Sequence, residues 1–145
     1  MTQYPPLFDL RDRAAIVTGG AGLLGVEFCQ TLAEAGAAVV IADLNAAAAE
    51  AVAQRLAQGG LKATAVQTDI TDPASVQNMV AATLQAYGRL DILVNSAALD
   101  PKFDPKHSPD ETQRSGSGAF EDFPLSAWQQ ALDVNLTGAF LCCQA

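Results

Sequence analysis

The sequence is poor in positive charge and contains a single histidine. Eight lysines and arginines stand against sixteen aspartates and glutamates, which gives a formal net charge of -8 over 145 residues. Binding to nucleic acid requires clustered lysine and arginine, and the basic residues here are scattered, so this composition excludes a nucleic-acid partner. The one histidine, His107, lies among prolines and charged residues. We interpret it as a solvated loop residue rather than a general base or a ligand, and we predict no metal site.

Cysteines are few as well, and no apolar run is long enough to cross a membrane. The three cysteines form no Cys-x-x-Cys pair, and Cys142 and Cys143 are adjacent, a spacing that strains a disulfide. They are typical of small buried side chains in a reducing compartment. Acidic residues interrupt the apolar stretches, and the first ten residues show no basic-then-apolar leader. We therefore expect a cytoplasmic protein that makes no contact with a membrane.

What the sequence does contain is a strand followed by a helix, four times over. Apolar runs predict strands at 14–18, 38–42, 62–67 and 90–95, and helical patterns predict helices at 23–35, 46–58, 74–87 and 125–145. This alternation predicts a parallel sheet with right-handed crossovers, in the order 3-2-1-4. We expect one α/β domain over residues 1–145, a Rossmann-type doubly wound sheet that is truncated after the fourth strand and the following helix.

A glycine-rich turn, Thr-Gly-Gly-Ala-Gly-Leu-Leu-Gly at residues 18–25, joins the first predicted strand to the first helix. Glycines allow a sharp turn and let phosphates approach backbone N–H groups, and the helix N-terminus adds partial positive charge. The alternative is an ordinary tight connection, but the strand-turn-helix context favours dinucleotide binding. The candidate cofactor-binding residues here are Thr18, Gly19, Gly22, Leu23, Leu24 and Gly25.

An acid follows the second predicted strand. Asp43 lies about twenty residues beyond the turn, where a carboxylate can accept both hydroxyls of an adenosine ribose. The same carboxylate would repel a 2′-phosphate, and neither Leu44 nor Asn45 offers a positive charge to receive one. Asp43 and Leu44 therefore favour NAD over NADP, although Asp43 could instead be a helix-initiating acid.

Together with three later motifs, these residues resemble the N-terminal half of a short-chain dehydrogenase/reductase. The later motifs are Asp69-Ile70 after the third strand, Asn95-x-Ala97 after the fourth, and Asp-Val-Asn-Leu-Thr-Gly at 133–138. The likeness covers the whole chain apart from 99–123. The turn departs from it, because its glycine spacing is that of the family's extended, sugar-nucleotide branch and Leu23 stands where the shorter branch has glycine. The motifs at 95–98 and 133–138 favour the shorter branch.

The resemblance implies roles for several residues, each with a simpler alternative. It implies that the Asp69 side chain and the Ile70 backbone meet the adenine, whereas Asp69 could merely cap the turn that follows it. It places Asn95 and Ala97 beside the ribose, although Asn95 could simply tie the fourth strand to its neighbours. It makes Asn135 the catalytic candidate, holding a water that extends a proton relay, unless Asn135 is a buried amide bonded to backbone.

The implied activity is hydride transfer between a bound NAD and a secondary alcohol or ketone, in a homo-oligomeric parent enzyme with a small-molecule substrate. The family's catalytic Tyr-x-x-x-Lys is not among these residues, since Tyr4 is followed four residues on by Phe8 and Tyr87 by Asp91. We expect a cofactor-binding half that is inactive by itself. A non-catalytic nucleotide-binding half-domain and a fragment of a nucleotide-sugar epimerase or dehydratase are the alternatives.

Residues 99–123, rich in proline, glycine, serine and aspartate, follow the fourth strand. Ligands gather at the carboxyl end of parallel strands, so we expect this segment to cover the nicotinamide pocket and to contribute to substrate selection.

Overall fold

The computed structural model describes residues 8–99 and 123–145, and within them the chain forms a parallel four-stranded sheet. The strands are β1 Ala14–Thr18, β2 Ala38–Asp43, β3 Ala63–Gln67 and β4 Ile92–Asn95, in the order β3-β2-β1-β4. This confirms the predicted α/β Rossmann-type fold and its strand order. Residues 100–122 lie outside the described part of the chain. They include His107 and all of the predicted cover at 99–123 except its first and last residues.

Helices follow the strands as predicted, with one difference near the end of the chain. They are α1 Leu23–Glu34, α2 Ala46–Gln58, α3 Pro73–Tyr87, α4 Leu125–Leu132 and α5 Ala139–Gln144. The sequence predicted one helix over 125–145, but a six-residue π-helical segment, Asp133–Gly138, separates α4 from α5. Among the helices described here, none is both long and apolar enough to span a membrane.

Local signals in the sequence set the boundaries of α2 and α3. The Asn45 side chain accepts a hydrogen bond from the N–H of Ala48 at the start of α2. Asp72 does the same for α3 from the N–H of Ala74, with Pro73 in the first helical position. Gly88, with a φ of 72°, ends α3 in the left-handed conformation.

β1 is the central strand, and its register decides which residues meet at the carboxyl edge of the sheet. Thr18, the last residue of β1, lies opposite Ala42 of β2 on one side and Asn95 of β4 on the other. Asp43 follows directly after Ala42. The turn after β1, the end of β2 and the end of β4 are therefore neighbours at one edge.

Alternate residues of the buried strands face two separate apolar layers. Val17 and Ile41 pack with Cys29 of α1 and with α2 on one face of the sheet. Ile16 and Val40 pack with residues of α3 and α5 on the other face. Helices on both faces are what a continuously apolar parallel strand such as β1 requires, since all five of its residues are buried.

At the opposite, amino edge of the sheet, Asp91 joins β4 to β1. Its carboxylate accepts hydrogen bonds from Nε and Nη2 of Arg89, both at 2.7 Å, and from the backbone N–H of Ala14 at 2.9 Å. Nη1 of Arg13 adds a contact at 3.2 Å. These bonds, chiefly those from Arg89, hold the pKa of the Asp91 carboxyl well below its ordinary value of 3.8.

We predict that Asp91→Asn lowers stability at neutral pH and flattens its dependence on pH. A carboxyl whose pKa is lower in the folded than in the unfolded chain stabilises the fold above the unfolded value, and this stabilisation fades as pH falls below about 5. Urea unfolding of the complete protein at several pH values measures the effect. Asp12→Asn, on the exposed turn before β1, is the control and should keep the wild-type pH dependence. Equal stability of wild type and Asp91→Asn at pH 7 would contradict the prediction.

Candidate functional site

The glycine-rich turn between β1 and α1 is anchored to the end of β2. The N–H of Gly20 donates to the carbonyl of Ala42 at 3.1 Å. The next N–H, that of Ala21, donates to Oδ2 of Asp43 at 3.0 Å. One main-chain bond and one side-chain bond thus fix two successive peptide groups of the turn against the same strand end.

Two glycines allow backbone segments to approach one another more closely than side chains would permit. Gly19 has a φ of +63°, and a Cβ atom on it would lie 2.7 Å from Cα of Ala97, in the loop after β4. A Cβ atom on Gly25 would lie only 2.0 Å from the carbonyl oxygen of Gly19. The turn, the start of α1 and the loop after β4 are therefore packed backbone against backbone.

Within residues 8–99 and 123–145, no side chain caps the backbone donors at the N-terminus of α1. The first helical hydrogen bond runs from the N–H of Val26 to the carbonyl of Gly22, so the N–H groups of Leu23, Leu24 and Gly25 precede the intrahelical bonding. Gly22 has no side chain to cap the helix, and the first turn contains no acid. Such an N-terminus favours an anion, and phosphate is the anion that glycine-rich turns commonly bind.

Asp43 lies beside this helix end with both carboxylate oxygens engaged by backbone donors. Besides its bond to Ala21, it accepts a bond from the N–H of Asn45 to Oδ1 at 2.9 Å. An ionised carboxylate has about four acceptor positions, so positions are left for two hydroxyl groups. Asn45 rather than Asp43 is the residue that caps α2. The exposed Leu44 places an uncharged side chain next to the carboxylate.

Cys29 of α1 contacts the turn from the buried apolar layer. Its thiol lies 3.7 Å from the carbonyl oxygen of Gly20 and is fully buried, as the sequence predicted for a small apolar side chain. Burial raises the pKa of the Cys29 thiol to about 12, and the negative charge of Asp43 adds to this rise. Cys29 is therefore a protonated packing residue and not a nucleophile.

Thr18 connects β1 to the loop after β4 through its buried hydroxyl. Oγ1 accepts hydrogen bonds from the N–H groups of Ser96 and Ala97, both at 3.2 Å, and donates to the carbonyl of Val94 at 3.4 Å. The sequence predicts Thr18 as a cofactor-binding residue, and this stays a prediction. In the structure its hydroxyl is bonded within the protein and holds Ala97 in place.

Asp69 and Ile70, in the loop after β3, both use their side chains within the protein. Oδ1 of Asp69 accepts from both the N–H and the hydroxyl of Thr71, at 2.9 and 2.6 Å, which is the turn-capping arrangement. The Ile70 side chain is buried in the layer that contains α3 and α5. Its side chain meets Gly138 of the π-helical segment, where a Cβ atom would lie 2.6 Å from Cδ1 of Ile70.

Asn95 and Asn135 both use their side chains within the protein. Nδ2 of Asn95 donates to Sγ of Cys143 in α5 at 3.3 Å, which ties the end of β4 to that helix. Asn135, in the π-helical segment, accepts from the N–H of Leu99 at 2.7 Å and donates to the carbonyl of Leu99 at 3.0 Å. The backbone-bonded alternative for Asn135 is thus present, although the residue is exposed rather than buried.

Residues 13–145 match the family described as short chain dehydrogenase. The chain belongs to the short-chain dehydrogenases. Members of this family generally use NAD or NADP. The matched residues include the glycine turn, Asp43 and the motifs at 69–70, 95–97 and 133–138 on which the resemblance rested.

Individual relatives and a solved structure agree with this assignment. The chain is 38% identical over 133 residues to an uncharacterized oxidoreductase of Thermotoga maritima, covering 92% of this chain and 46% of that protein. It is 36% identical over 150 residues to D-threitol dehydrogenase of Mycolicibacterium smegmatis, covering 100% and 52%. A short-chain type dehydrogenase/reductase from Mycobacterium marinum superposes with a TM-score of 0.81 at 32% identity, covering 95% and 50%. The chain therefore spans about half the length of the relatives it matches.

Most of the predicted site residues lie at the carboxyl ends of β1, β2 and β4 and at the start of α1, whereas Asp69 and Ile70 follow β3 and Asn135 lies in the π-helical segment. Sequence reasoning missed two participants, Ala21 and Ser96, whose contributions are backbone N–H groups. Neither residue type signals such a role, because any residue except proline carries the same donor. Their importance follows from the acceptors, Asp43 and Thr18, that the fold brings to them.

We predict that Thr18→Val destabilises the protein by about 1–3 kcal/mol, because it leaves the N–H groups of Ser96 and Ala97 without their buried acceptor. Val has nearly the shape of Thr, so packing is conserved. Thr18→Ser, which keeps the hydroxyl, is the matched control and should cost less. Denaturant unfolding of the complete protein measures both variants, and a Thr18→Val variant as stable as Thr18→Ser would contradict this reading of the hydroxyl.

Proposed function

We propose that the complete protein is an NAD-dependent dehydrogenase/reductase that transfers hydride between nicotinamide and a secondary alcohol or ketone. Residues 1–145 are, in this proposal, its cofactor-binding domain without the catalytic Tyr, Lys and Ser. The observation that carries the proposal is the N-terminus of α1, which no side chain caps and whose first turn has no acid, beside the Asp43 carboxylate at the carboxyl ends of β1 and β2.

The residues of this edge fit a dinucleotide. The N–H groups of Leu23, Leu24 and Gly25 would hold the pyrophosphate, and Asp43 would accept hydroxyls of the adenosine ribose. Asp69 and Ile70 follow β3 on the adenine side, and Asn95 and Ala97 follow β4 on the other. When bound, the nicotinamide supplies the hydride acceptor, and this half of the protein orients the cofactor.

Asn135 enters the proposal as the residue that extends the proton relay. Its side chain is bonded to Leu99, so in the proposed enzyme it also fixes the chain that leaves the end of β4. π-helical segments occur frequently at functional sites, which supports a role for this part of the chain. Among the described residues no tyrosine has a lysine four positions later, because the residue four positions after Tyr87 is Asp91.

The substrate class rests on the family and on the names of relatives. D-threitol dehydrogenase and a hydroxysteroid dehydrogenase from Escherichia coli are named for hydroxyl-bearing molecules. The latter superposes on this chain with a TM-score of 0.78 at 31% identity. These names support a small-molecule alcohol or ketone, and the particular substrate is a matter for the assay.

The test of activity is an assay of the complete protein with NAD and a panel of secondary alcohols, read as the absorbance of the reduced nicotinamide. We expect turnover by the complete protein and none by residues 1–145 alone, because proton transfer needs the Tyr-Lys pair. NAD binding without turnover of any alcohol would favour a nucleotide-binding module. Conversion of a nucleotide sugar would favour the epimerase or dehydratase alternative.

We also propose NAD over NADP, on the charge of Asp43 and the neutral Leu44. Asp43→Ala combined with Leu44→Arg should shift the ratio of NAD to NADP dissociation constants toward NADP by roughly 10–100-fold, the range expected for one or two charged hydrogen bonds. Leu44→Gln is the control for loss of the apolar side chain. Tighter binding of NADP than NAD by the wild-type protein would contradict the proposal.

A cytoplasmic location and a homo-oligomeric state complete the proposal. All three cysteines are free thiols, which suits a reducing compartment. Large apolar side chains are exposed along α4 to α5, including Trp128, Leu136 and Phe140, and an exposed apolar stripe of this kind suits a subunit contact. Sedimentation of the complete protein measures the oligomeric state.

A further inference from the structure

We infer that Asp43 has a second role besides accepting the ribose hydroxyls as proposed above. It is a positioning residue for the phosphate-binding turn. Its carboxylate then raises the affinity for parts of the nucleotide that it does not touch. This inference rests on the proposed dinucleotide site and concerns the same residues.

The first step is the geometry of the carboxylate. Oδ2 accepts from the N–H of Ala21, which is 22 residues away in sequence, and Oδ1 accepts from the N–H of Asn45. With one backbone donor on each oxygen, the plane of the carboxylate is fixed. The side chain consequently joins the start of α2 to the turn before α1.

The second step is what the Ala21 bond holds. Ala21 immediately precedes Gly22, the N-cap of α1, and lies two residues before the first free N–H of the helix, that of Leu23. The bond from Gly20 to Ala42 fixes the peptide before it. The Asp43 bond is therefore the turn's hydrogen bond to β2 that lies nearest the helix end, and we infer that it sets the direction in which that end faces.

The third step separates positioning from electrostatics. A carboxylate near an anion site repels phosphate, so by charge alone the removal of Asp43 should strengthen phosphate binding. Loss of the bond to Ala21 should weaken it, because the N–H groups that follow lose their fixed orientation. The two effects have opposite signs, and a measurement of phosphate affinity distinguishes them.

The experiment compares ADP with 2′,3′-dideoxy-ADP, which lacks both ribose hydroxyls, by calorimetric titration of the complete protein. If Asp43 also positions the turn, Asp43→Ala weakens dideoxy-ADP about tenfold and ADP by more than that. Asp43→Asn, which retains one acceptor oxygen, should restore part of the dideoxy-ADP affinity. Glu27→Gln on the exposed face of α1 is the matched control for loss of one negative charge and should not weaken either ligand.

A second readout needs no ligand. Amide hydrogen exchange at Ala21 should accelerate in Asp43→Ala, stay near wild type in Glu27→Gln and be intermediate in Asp43→Asn. If Asp43→Ala does not fold, Asp43→Glu takes its place, because it keeps the charge but displaces the acceptor. The same loss of dideoxy-ADP affinity is then expected.

Dideoxy-ADP affinity that is unchanged or improved in Asp43→Ala, or in Asp43→Glu where that replaces it, would overturn the inference and leave Asp43 as a ribose acceptor only. Exchange at Ala21 that does not accelerate in that variant would do the same. If the wild-type protein binds neither ADP nor NAD, the proposed function and this inference are overturned together. Normal ADP binding by the wild-type protein, together with dideoxy-ADP affinity that the Asp43 variants leave unchanged, overturns the inference alone.

Discussion

The carbonyl oxygen of Gly19 occupies the space where a side chain on Gly25 would begin, and Cα of Ala97 lies against the other side of Gly19. Two parts of the glycine-rich turn and the loop after β4 are thus in direct contact, with no side chain between them. The position of the α1 N-terminus at the edge of the sheet depends on this contact. It holds the start of α1 against the end of β1 and the loop after β4, while the bond from Ala21 to Asp43 fixes the turn before the helix.

Side chains hold this backbone arrangement from two directions. Thr18 ties the loop after β4 to β1, and Asp43 ties the turn before α1 to the end of β2. At the amino edge of the sheet, Asp91 joins the starts of β1 and β4 by accepting a hydrogen bond from the N–H of Ala14. β1 is therefore fixed by side-chain hydrogen bonds at both ends, while its middle is held by apolar packing.

Sequence reasoning succeeded where the signal was local and failed where it was not. The apolar runs, the caps Asn45 and Asp72 and the glycine turn each act over a few residues, so the strands and helix starts could be predicted, and the strand order followed from their alternation. The partners of Asp43 and Asn135 lie 22 and 36 residues away, and which donor each side chain reaches depends on rotamers and register. The π-helical segment was also missed, because the apolar residues between 128 and 140 are spaced four apart, which is compatible with both an α-helical and a wider π-helical turn.

The side-chain amide of Asn135 pairs with both backbone groups of Leu99. A side-chain amide there does what a neighbouring strand would do, offering one donor and one acceptor to a single residue. The chain is thereby fastened just before residue 100. A displacement of the chain beyond Leu99 must therefore break these two hydrogen bonds before it reaches Ala97.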